Sequence, residues 1–259
     1  TDDFIKRISA ELSPEPRDDD ITLESDPTSY EEAIRDPRWR AAMLKEVTKL
    51  LQFDVFEFLD PSQVPSGILP AKMGWVFKTK RNGTKKARYV FFGNMLDRAA
   101  CRDASSPVLH NDLTPRLLLT LANGSRRKNP DTVIFGADCT NAYLNATIDD
   151  LLVLVEIPIG FDGAGQIARL AKDLYGAYDS GRRWYDIVHG LLLEFKFKQS
   201  PYDSCLYSYV DPATQKMIVL CLYVDDLLGF GDSELVERLE AFLTKRAQVE
   251  FDSDPTDFL

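Results

Sequence analysis

The sequence has no run of about 18 apolar residues, so it predicts no membrane-spanning helix. Its first residues are acidic and lack the apolar core of a signal peptide. There are only two histidines and four cysteines, and no cysteine pair has the C-x-x-C spacing typical of zinc sites. We therefore expect an intracellular protein with reduced thiols at Cys101, Cys139, Cys205 and Cys221.

Enough apolar sequence is present for a sizeable core, since 44% of the 259 residues are hydrophobic. That length suffices for one large domain or two modest ones, and no internal repeat is visible. The net charge of −10 is unusual for a protein that binds nucleic acid, but it is unevenly distributed. Residues 1–36 carry −8 and residues 232–259 carry −5, whereas residues 37–231 carry +3. The central region can therefore bind a polyanion, and an increase in solubility explains the acidic ends equally well.

The N-terminal third begins with a segment whose composition predicts flexibility. Residues 1–28 are polar and acidic and contain three prolines, so we interpret them as a flexible lead-in. Apolar residues then recur with helical period over residues 30–52, which predicts an amphipathic helix interrupted at Pro37. Residues 72–93 contain two strand-like runs around Asn82-Gly83, a dipeptide typical of tight hairpin turns, and predict a β-hairpin.

The remaining pattern mixes helices and strands without regular alternation, so we predict an α+β fold. The basic stretch from Arg126 to Pro130 is interpreted as a loop, and Trp184 as either a core residue or a nucleic-acid contact. The predicted helices span residues 111–123, 179–196 and 233–248, and the predicted strands span residues 132–137, 151–157, 205–210, 217–224 and 227–230.

Three carboxylates stand at the ends of apolar, strand-like runs. Asp138 follows one such run, and the pair Asp225 and Asp226 separates two others, which places the pair in a tight turn. If these strands belong to one sheet, the three side chains lie near one edge, where two Mg²⁺ ions can bind. An Asp-Asp pair is also ordinary in a turn between strands, so spacing alone leaves this simpler interpretation open.

The predicted hairpin is strongly basic. Its residues 78–88 contain six basic side chains and no acid, a pattern typical of a finger that contacts phosphates. A solvated basic surface is the alternative. The basic residues are Lys78, Lys80, Arg81, Lys85, Lys86 and Arg88.

Several short motifs, in order along the chain, resemble those of copia-type retrotransposon reverse transcriptases. Tyr223-Val224-Asp225-Asp226 resembles their Y-x-D-D box, and DCTNAYL at 138–144 resembles their D-V-x-x-A-[FY]-L motif. Further similar motifs are WVFK at 75–78, KARYV at 86–90, LYG at 174–176, RRW at 182–184 and DSCLY at 203–207. The resemblance extends from about Trp39 to Asp226.

The resemblance implies a right-hand polymerase with fingers, a palm that contains an antiparallel sheet, and a thumb that is largely missing. The N-terminal helix and fingers would span 29–130, the palm 131–232, and a palm helix with the start of the thumb connection 233–259. It implies synthesis of DNA from dNTPs on a primed RNA or DNA template, with two Mg²⁺ ions or with Mn²⁺ as a substitute. It also implies a longer polyprotein with flanking integrase and RNase H, located in a cytoplasmic particle or the nucleus.

Site residues follow from the same resemblance, position by position. Asp138, Asp225 and Asp226 would be catalytic and would ligate the metal ions, to which Cys139 would add its backbone carbonyl. The substrate-binding residues would be Lys86 and Arg88 at the triphosphate, Tyr143 under the sugar, Tyr223 and Val224 at the primer end, and Asp179.

Two positions depart from the family pattern. Asp179 stands where the family has a glutamine that supports the incoming nucleotide, and an ionised carboxylate cannot donate hydrogen bonds. Phe92 stands where a basic or amide residue usually precedes the glycine. These departures favour an alternative, a catalytically decayed or domesticated fragment that at most binds nucleic acid. A different two-metal phosphotransfer enzyme, such as a nuclease or a nucleotide cyclase, is a third interpretation.

Overall fold

The computed structural model describes residues 10–65, 67, 70–91, 106–107, 109, 113–139, 152–157, 167–174, 180–247, 249–253 and 255. The chain forms two compact units, the first from Thr1–Arg102 with Ala146–Ser180 and the second from Asp103–Asn145 with Gly181–Leu259. Each unit therefore combines two separate stretches of the chain. Both units combine helices with antiparallel strands, which confirms the predicted α+β class.

In chain order the helices are α1 (Tyr30–Ala33), α2 (Pro37–Gln52), α3 (Leu113–Lys128), α4 (Ser180–Glu194) and α5 (Ser233–Ala247), with a 3₁₀ turn at Pro61–Gln63. The strands are β1 (Phe56–Phe58), β2 (Met73–Thr79), β3 (Lys85–Phe91), β4 (Thr132–Cys139), β5 (Leu154–Glu156), β6 (Ile167–Leu170), β7 (Lys198–Gln199), β8 (Leu206–Val210), β9 (Met217–Tyr223), β10 (Asp226–Asp232) and β11 (Val249–Asp252). The first unit contains the sheet β1-β6-β5 and the hairpin β2-β3, and the second contains the sheet β11-β4-β10-β9-β8-β7. None of the helices in the described ranges is long and apolar enough to cross a membrane.

The hairpin predicted over residues 72–93 is confirmed. Its two strands pair in antiparallel register, and Gly83 turns the chain with a φ of +81°, which glycine adopts without steric cost. Ala87 is buried and stands opposite Phe77, whose ring meets the ring of Trp39 on α2 at a centroid distance of 5.4 Å. One face of the hairpin therefore packs against α2, and the alternate side chains lie on the other face.

The helix predicted over residues 30–52 is divided near Pro37, as the sequence indicated. Asp36 lies between the two helices, and its carboxylate accepts a hydrogen bond from the N–H of Arg38 (2.9 Å). Pro37 is the first residue of α2, a position that tolerates proline because its missing N–H would have no partner within the helix. The break therefore comes from an N-cap followed by a proline rather than from a kink inside one helix.

Part of the segment whose composition predicts flexibility is packed around a buried arginine of α2. The Arg40 side chain has no exposed surface, and its guanidinium donates to the carbonyls of Ser13 (2.7 Å) and Glu15 (2.8 Å). It also donates to the carboxylate of Asp20 (2.9 Å). These partners precede Arg40 by 20 residues or more, so local composition gives no sign of the anchor.

Helices cover both faces of the six-stranded sheet in the second unit. On one face, Trp184 of α4 and Leu239 of α5 belong to a buried cluster that includes Leu220 of β9. On the other face, Leu118 of α3 belongs to a cluster that includes Cys221 of β9. Because successive residues of a strand point to opposite faces, β9 is buried on both sides, which explains its continuous run of apolar residues.

The loop interpretation of the basic stretch is wrong for its first three residues. Arg126, Arg127 and Lys128 form the last turn of α3, where positive side chains are favourable next to the negative end of the helix dipole. Pro130 follows two residues later and cannot continue the helix. These three positive charges therefore indicated the end of a helix rather than a loop.

Gly229, in the middle of β10, leaves no room for a methyl group. A Cβ at this position would overlap the ring of Phe135 and lie 2.9 Å from the Cβ of Leu220, both on strands that pair with β10. We expect Gly229→Ala to lower the free energy of unfolding by about 1–3 kcal/mol, measured by urea titration. Gly190→Ala is the matched control, because within the described residues no atom beyond the chain neighbours and helix backbone of this exposed glycine lies within 4 Å of a new Cβ. It should raise the free energy by about 0.5–1 kcal/mol, and a change of the same sign in both variants would contradict the prediction.

Candidate active site

A two-residue turn joins β9 to β10 and presents two of the predicted catalytic carboxylates. Tyr223 ends β9 and pairs directly with Asp226, the first residue of β10, so that Val224 and Asp225 form the turn. Val224 has a φ of +54°, a left-handed conformation that β-branched residues rarely adopt. Such a conformation costs about 1–3 kcal/mol, so contacts around the turn must stabilise it.

Two hydrogen bonds hold the backbone of this turn. The N–H of Cys139, at the end of β4, donates to the carbonyl of Asp225 (2.8 Å). The indole N–H of Trp184, on α4, donates to the carbonyl of Val224 (2.9 Å). Trp184 is fully buried, in keeping with its interpretation as a core residue, but it also contacts the turn. The backbone of the turn is therefore hydrogen-bonded to both a strand and a helix.

The strand register places a row of carboxylates across one face of the sheet. Asp138 on β4 stands directly opposite Asp226 on β10, and directly opposed residues of antiparallel strands share a face. On the other side of β4, β11 places Glu250 opposite Asp138. Tyr223 extends the row on β9. The pairing therefore brings the predicted carboxylates together, as the sequence indicated.

The carboxylates influence one another electrostatically. Burial raises the pKa of Asp226, and the negative charges of Asp225 and Asp138 raise it further, to about 6. Burial also raises the pKa of the Cys139 thiol, and the three aspartates add to that shift, so the thiol is neutral at physiological pH. The site therefore concentrates negative charge, which a bound cation would stabilise.

The donor chemistry of these residues fits a hard divalent cation, because Mg²⁺ prefers carboxylate and carbonyl oxygens. Among the residues that the structure describes, no group of three or more His, Cys, Asp and Glu side chains is already arranged to hold an ion. Mg²⁺ is commonly held by one or two carboxylates, while water and substrate phosphates complete its shell. The carboxylates therefore suit an Mg²⁺ ion whose shell is completed by water and substrate phosphates.

The basic hairpin of the first unit carries the two residues predicted to bind a triphosphate. Lys86 and Arg88 flank the buried Ala87 on β3, so both lie on the face turned away from α2. Lys78 on β2 stands directly opposite Lys86. Burial lowers the pKa of Lys86, and the neighbouring charge of Arg88 lowers it further. An anion such as phosphate would stabilise this crowded group of cations.

Two predicted substrate-binding residues, Tyr143 and Asp179, lie outside the described residues, as does Phe92. The two predicted at the primer end are described: Tyr223 is 37% exposed at the end of β9, and Val224 follows it in the turn.

Glu250 was missed by the sequence interpretation, because β11 was not predicted. The alternation of apolar and acidic residues in Val249, Glu250 and Phe251 was the available signal. A strand of this length gives a weak pattern, and nothing local indicates that it pairs with β4, more than 100 residues earlier in the chain.

Comparison with known proteins gives the family. A family model described as reverse transcriptase (RNA-dependent DNA polymerase) matches residues 55–259. The chain belongs to this reverse transcriptase family. The match confirms the resemblance found in the motifs and replaces the interpretation as a nuclease or a nucleotide cyclase.

Three curated relatives of this reverse transcriptase chain are retrovirus-related Pol polyproteins from transposons. The one from transposon TNT 1-94 of Nicotiana tabacum is 27% identical over 237 residues, which is 87% of this chain and 17% of the relative. Those from transposons RE1 and RE2 of Arabidopsis thaliana are 29% and 28% identical, and cover 88% and 92% of this chain and 16% of each relative. These relatives confirm the copia-type assignment, and the chain spans about a sixth of their length.

Proposed function

We propose that this chain is the polymerase core of a copia-type reverse transcriptase, which copies an RNA or DNA template into DNA from a primer and dNTPs. The observation that supports the proposal most strongly is that Asp138 pairs directly with Asp226, beside Asp225 in the adjoining turn, in a chain of this family. In a right-hand polymerase this antiparallel sheet would be the palm, and the basic hairpin would belong to the fingers.

The three aspartates would hold two Mg²⁺ ions, or Mn²⁺ as a substitute, and the backbone carbonyl of Cys139 would be a further ligand. Metal ions of this kind lower the pKa of an attacking hydroxyl and stabilise charge on the transferred phosphate. The protein's own contribution is to place the carboxylates on a rigid sheet, with the turn held by Cys139 and Trp184. Ligands fixed in this way need little reorganisation when substrate binds.

The substrate-binding roles are proposals of the same kind. The forked guanidinium of Arg88 suits two hydrogen bonds to a triphosphate, and Lys86 would add a point charge. Tyr143 would lie under the sugar and exclude a 2′-hydroxyl, and Tyr223 with Val224 would contact the primer end. The relatives are Pol polyproteins, which supports flanking integrase and RNase H in a longer intracellular polyprotein.

The proposal is tested by incorporation of dTTP on poly(rA) primed with oligo(dT) in the presence of Mg²⁺. Wild-type protein should extend the primer, and Asp225→Asn should extend it far more slowly, because an amide is a weaker metal ligand than a carboxylate. Omission of Mg²⁺ and the use of dGTP on the same template are the controls. Incorporation that is unaffected by Asp225→Asn would contradict the proposed site.

A second candidate function is a nucleic-acid-binding remnant without polymerase activity, favoured by Asp179 in place of the family's glutamine. An ionised carboxylate there would repel a triphosphate and cannot donate a hydrogen bond to it. If this residue alone blocks synthesis, Asp179→Gln should restore incorporation to a protein that binds primer–template but does not extend it. A variant that binds equally well and still fails to extend would point to damage elsewhere in the chain.

A further inference from the structure

We infer that Trp184 is a positioning residue of the active site, which fixes the turn that carries Asp225 and Asp226 through its indole N–H. The inference rests on the proposed function, because it concerns the same carboxylates. Its direct basis is the hydrogen bond of 2.9 Å from Trp184 Nε1 to the carbonyl oxygen of Val224.

The indole of Trp184 is held rigidly enough to act as a fixed donor. It has no exposed surface and belongs to the buried cluster that contains Leu222 and Leu227, which are adjacent in sequence to Tyr223 and Asp226 at the two ends of the turn. The helix that carries it is also anchored near its start. The Tyr185 hydroxyl donates to the carbonyl of Ser204 (2.8 Å), and the Ser106 hydroxyl donates to the carbonyl of Gly181 (3.1 Å). Movement of the donor would therefore require movement of α4.

The turn needs such a donor because its conformation is unfavourable for its sequence. A φ of +54° is unfavourable for a valine. Without the indole N–H of Trp184, the Val224 carbonyl would also lose its hydrogen bond. A relaxed Val224 would change the direction of the next peptide and so move Asp225. Catalytic groups displaced by about 1 Å can cost on the order of 100-fold in rate. The bond from Trp184 would therefore matter far more to catalysis than to the stability of the core.

Two buried residues away from the turn provide matched controls. Trp39 is fully buried, and its indole nitrogen has no hydrogen-bond partner in the part of the chain that the structure describes. Trp39→Phe thus repeats the change in ring size without loss of a bond to the turn. Leu192 lies two turns after Trp184 on α4 and is fully buried, so Leu192→Ala destabilises the same cluster by a different route.

Amide hydrogen exchange of the full chain, resolved by NMR, provides a readout independent of activity. Trp184→Phe should increase exchange at the Cys139 N–H, which bonds the turn at Asp225, by about 5- to 10-fold relative to amides of α5. Trp39→Phe and Leu192→Ala should leave that ratio unchanged.

Mn²⁺ titration by electron paramagnetic resonance should show weaker binding in Trp184→Phe alone. With primer–template, kcat should fall by at least about 10-fold while KM for dTTP changes by less than about 3-fold.

The inference would be overturned if exchange at the Cys139 N–H rises no more in Trp184→Phe than in Leu192→Ala. That result would assign Trp184 a packing role alone. If Trp184→Phe does not fold, 3-benzothienylalanine at position 184 keeps the bicyclic shape, removes only the N–H donor and should give the same exchange result. If wild-type protein does not extend a primer, the proposed function fails. The exchange and Mn²⁺ measurements still decide whether Trp184 holds the turn.

Discussion

Asp226→Asn should lower Mg²⁺-dependent incorporation by about 10³-fold and, in EDTA, make the protein more stable. The loss of activity follows from removal of a proposed metal ligand at the start of β10. The gain in stability follows because the raised pKa of Asp226, about 6, reflects burial and the repulsion of Asp225 and Asp138. Thermal unfolding in EDTA should show a midpoint higher by about 2 °C or more.

Glu237→Gln is the control, since it removes the same charge from an exposed position on α5 in the same unit. It should change neither incorporation nor the unfolding midpoint by a measurable amount. Substitution of a purely structural residue rarely lowers activity while it raises stability. Substitution of one of several carboxylates held close together for a cation is expected to do both. A variant Asp226→Asn that keeps its activity, or that becomes less stable without metal, would show that Asp226 has only a structural role at the start of β10.

Asp20→Ala should strongly destabilise the fold, because it removes the carboxylate that forms a salt bridge with the buried Arg40 guanidinium. The Arg40 side chain has no exposed surface, and its neutral partners, including the carbonyls of Ser13 and Glu15, cannot offset a full charge. Hydrogen exchange of the α2 amides should report the loss, since Arg40 joins that helix to the N-terminal segment.

Asp19→Ala is the matched control for this change. Asp19 is the exposed neighbour of Asp20 in the acidic triplet Asp18-Asp19-Asp20, so its loss should change stability by less than about 0.5 kcal/mol. Equal effects of the two substitutions would mean that the triplet acts through its net charge and that the contact with Arg40 contributes little.

Features set by neighbouring residues could be predicted from the sequence. Asn82-Gly83 predicted the hairpin, because only a few residue types adopt the left-handed backbone that such a turn requires. The apolar runs on either side of Asp225 and Asp226 predicted β9 and β10, because strands buried on both faces do not alternate between polar and apolar residues. Asp138 could be added to the site because an apolar strand also ends on it, although its position opposite Asp226 came only from the pairing.

Features set by distant residues could not be predicted in the same way. The acidic triplet at 18–20 has the composition of a flexible segment, and only the fold shows that Asp20 meets Arg40. Glu250 joins the carboxylate row through a four-residue strand that pairs with β4, a contact without a local signature. The bond from Trp184 to Val224 likewise links residues 40 positions apart. In each case the residue looks ordinary among its sequence neighbours, and its role follows only from the distant residue that it contacts.

Single-nucleotide extension of a primer on an RNA template, followed by rapid quench, tests the carboxylate site most directly. Wild-type protein with Mg²⁺ should add only the complementary dNTP, and Asp138→Asn should bind the same primer–template but extend it at least about 10³-fold more slowly. Equal extension by wild type and Asp138→Asn would contradict the account, as would a wild-type protein that binds primer–template and Mn²⁺ but adds no nucleotide.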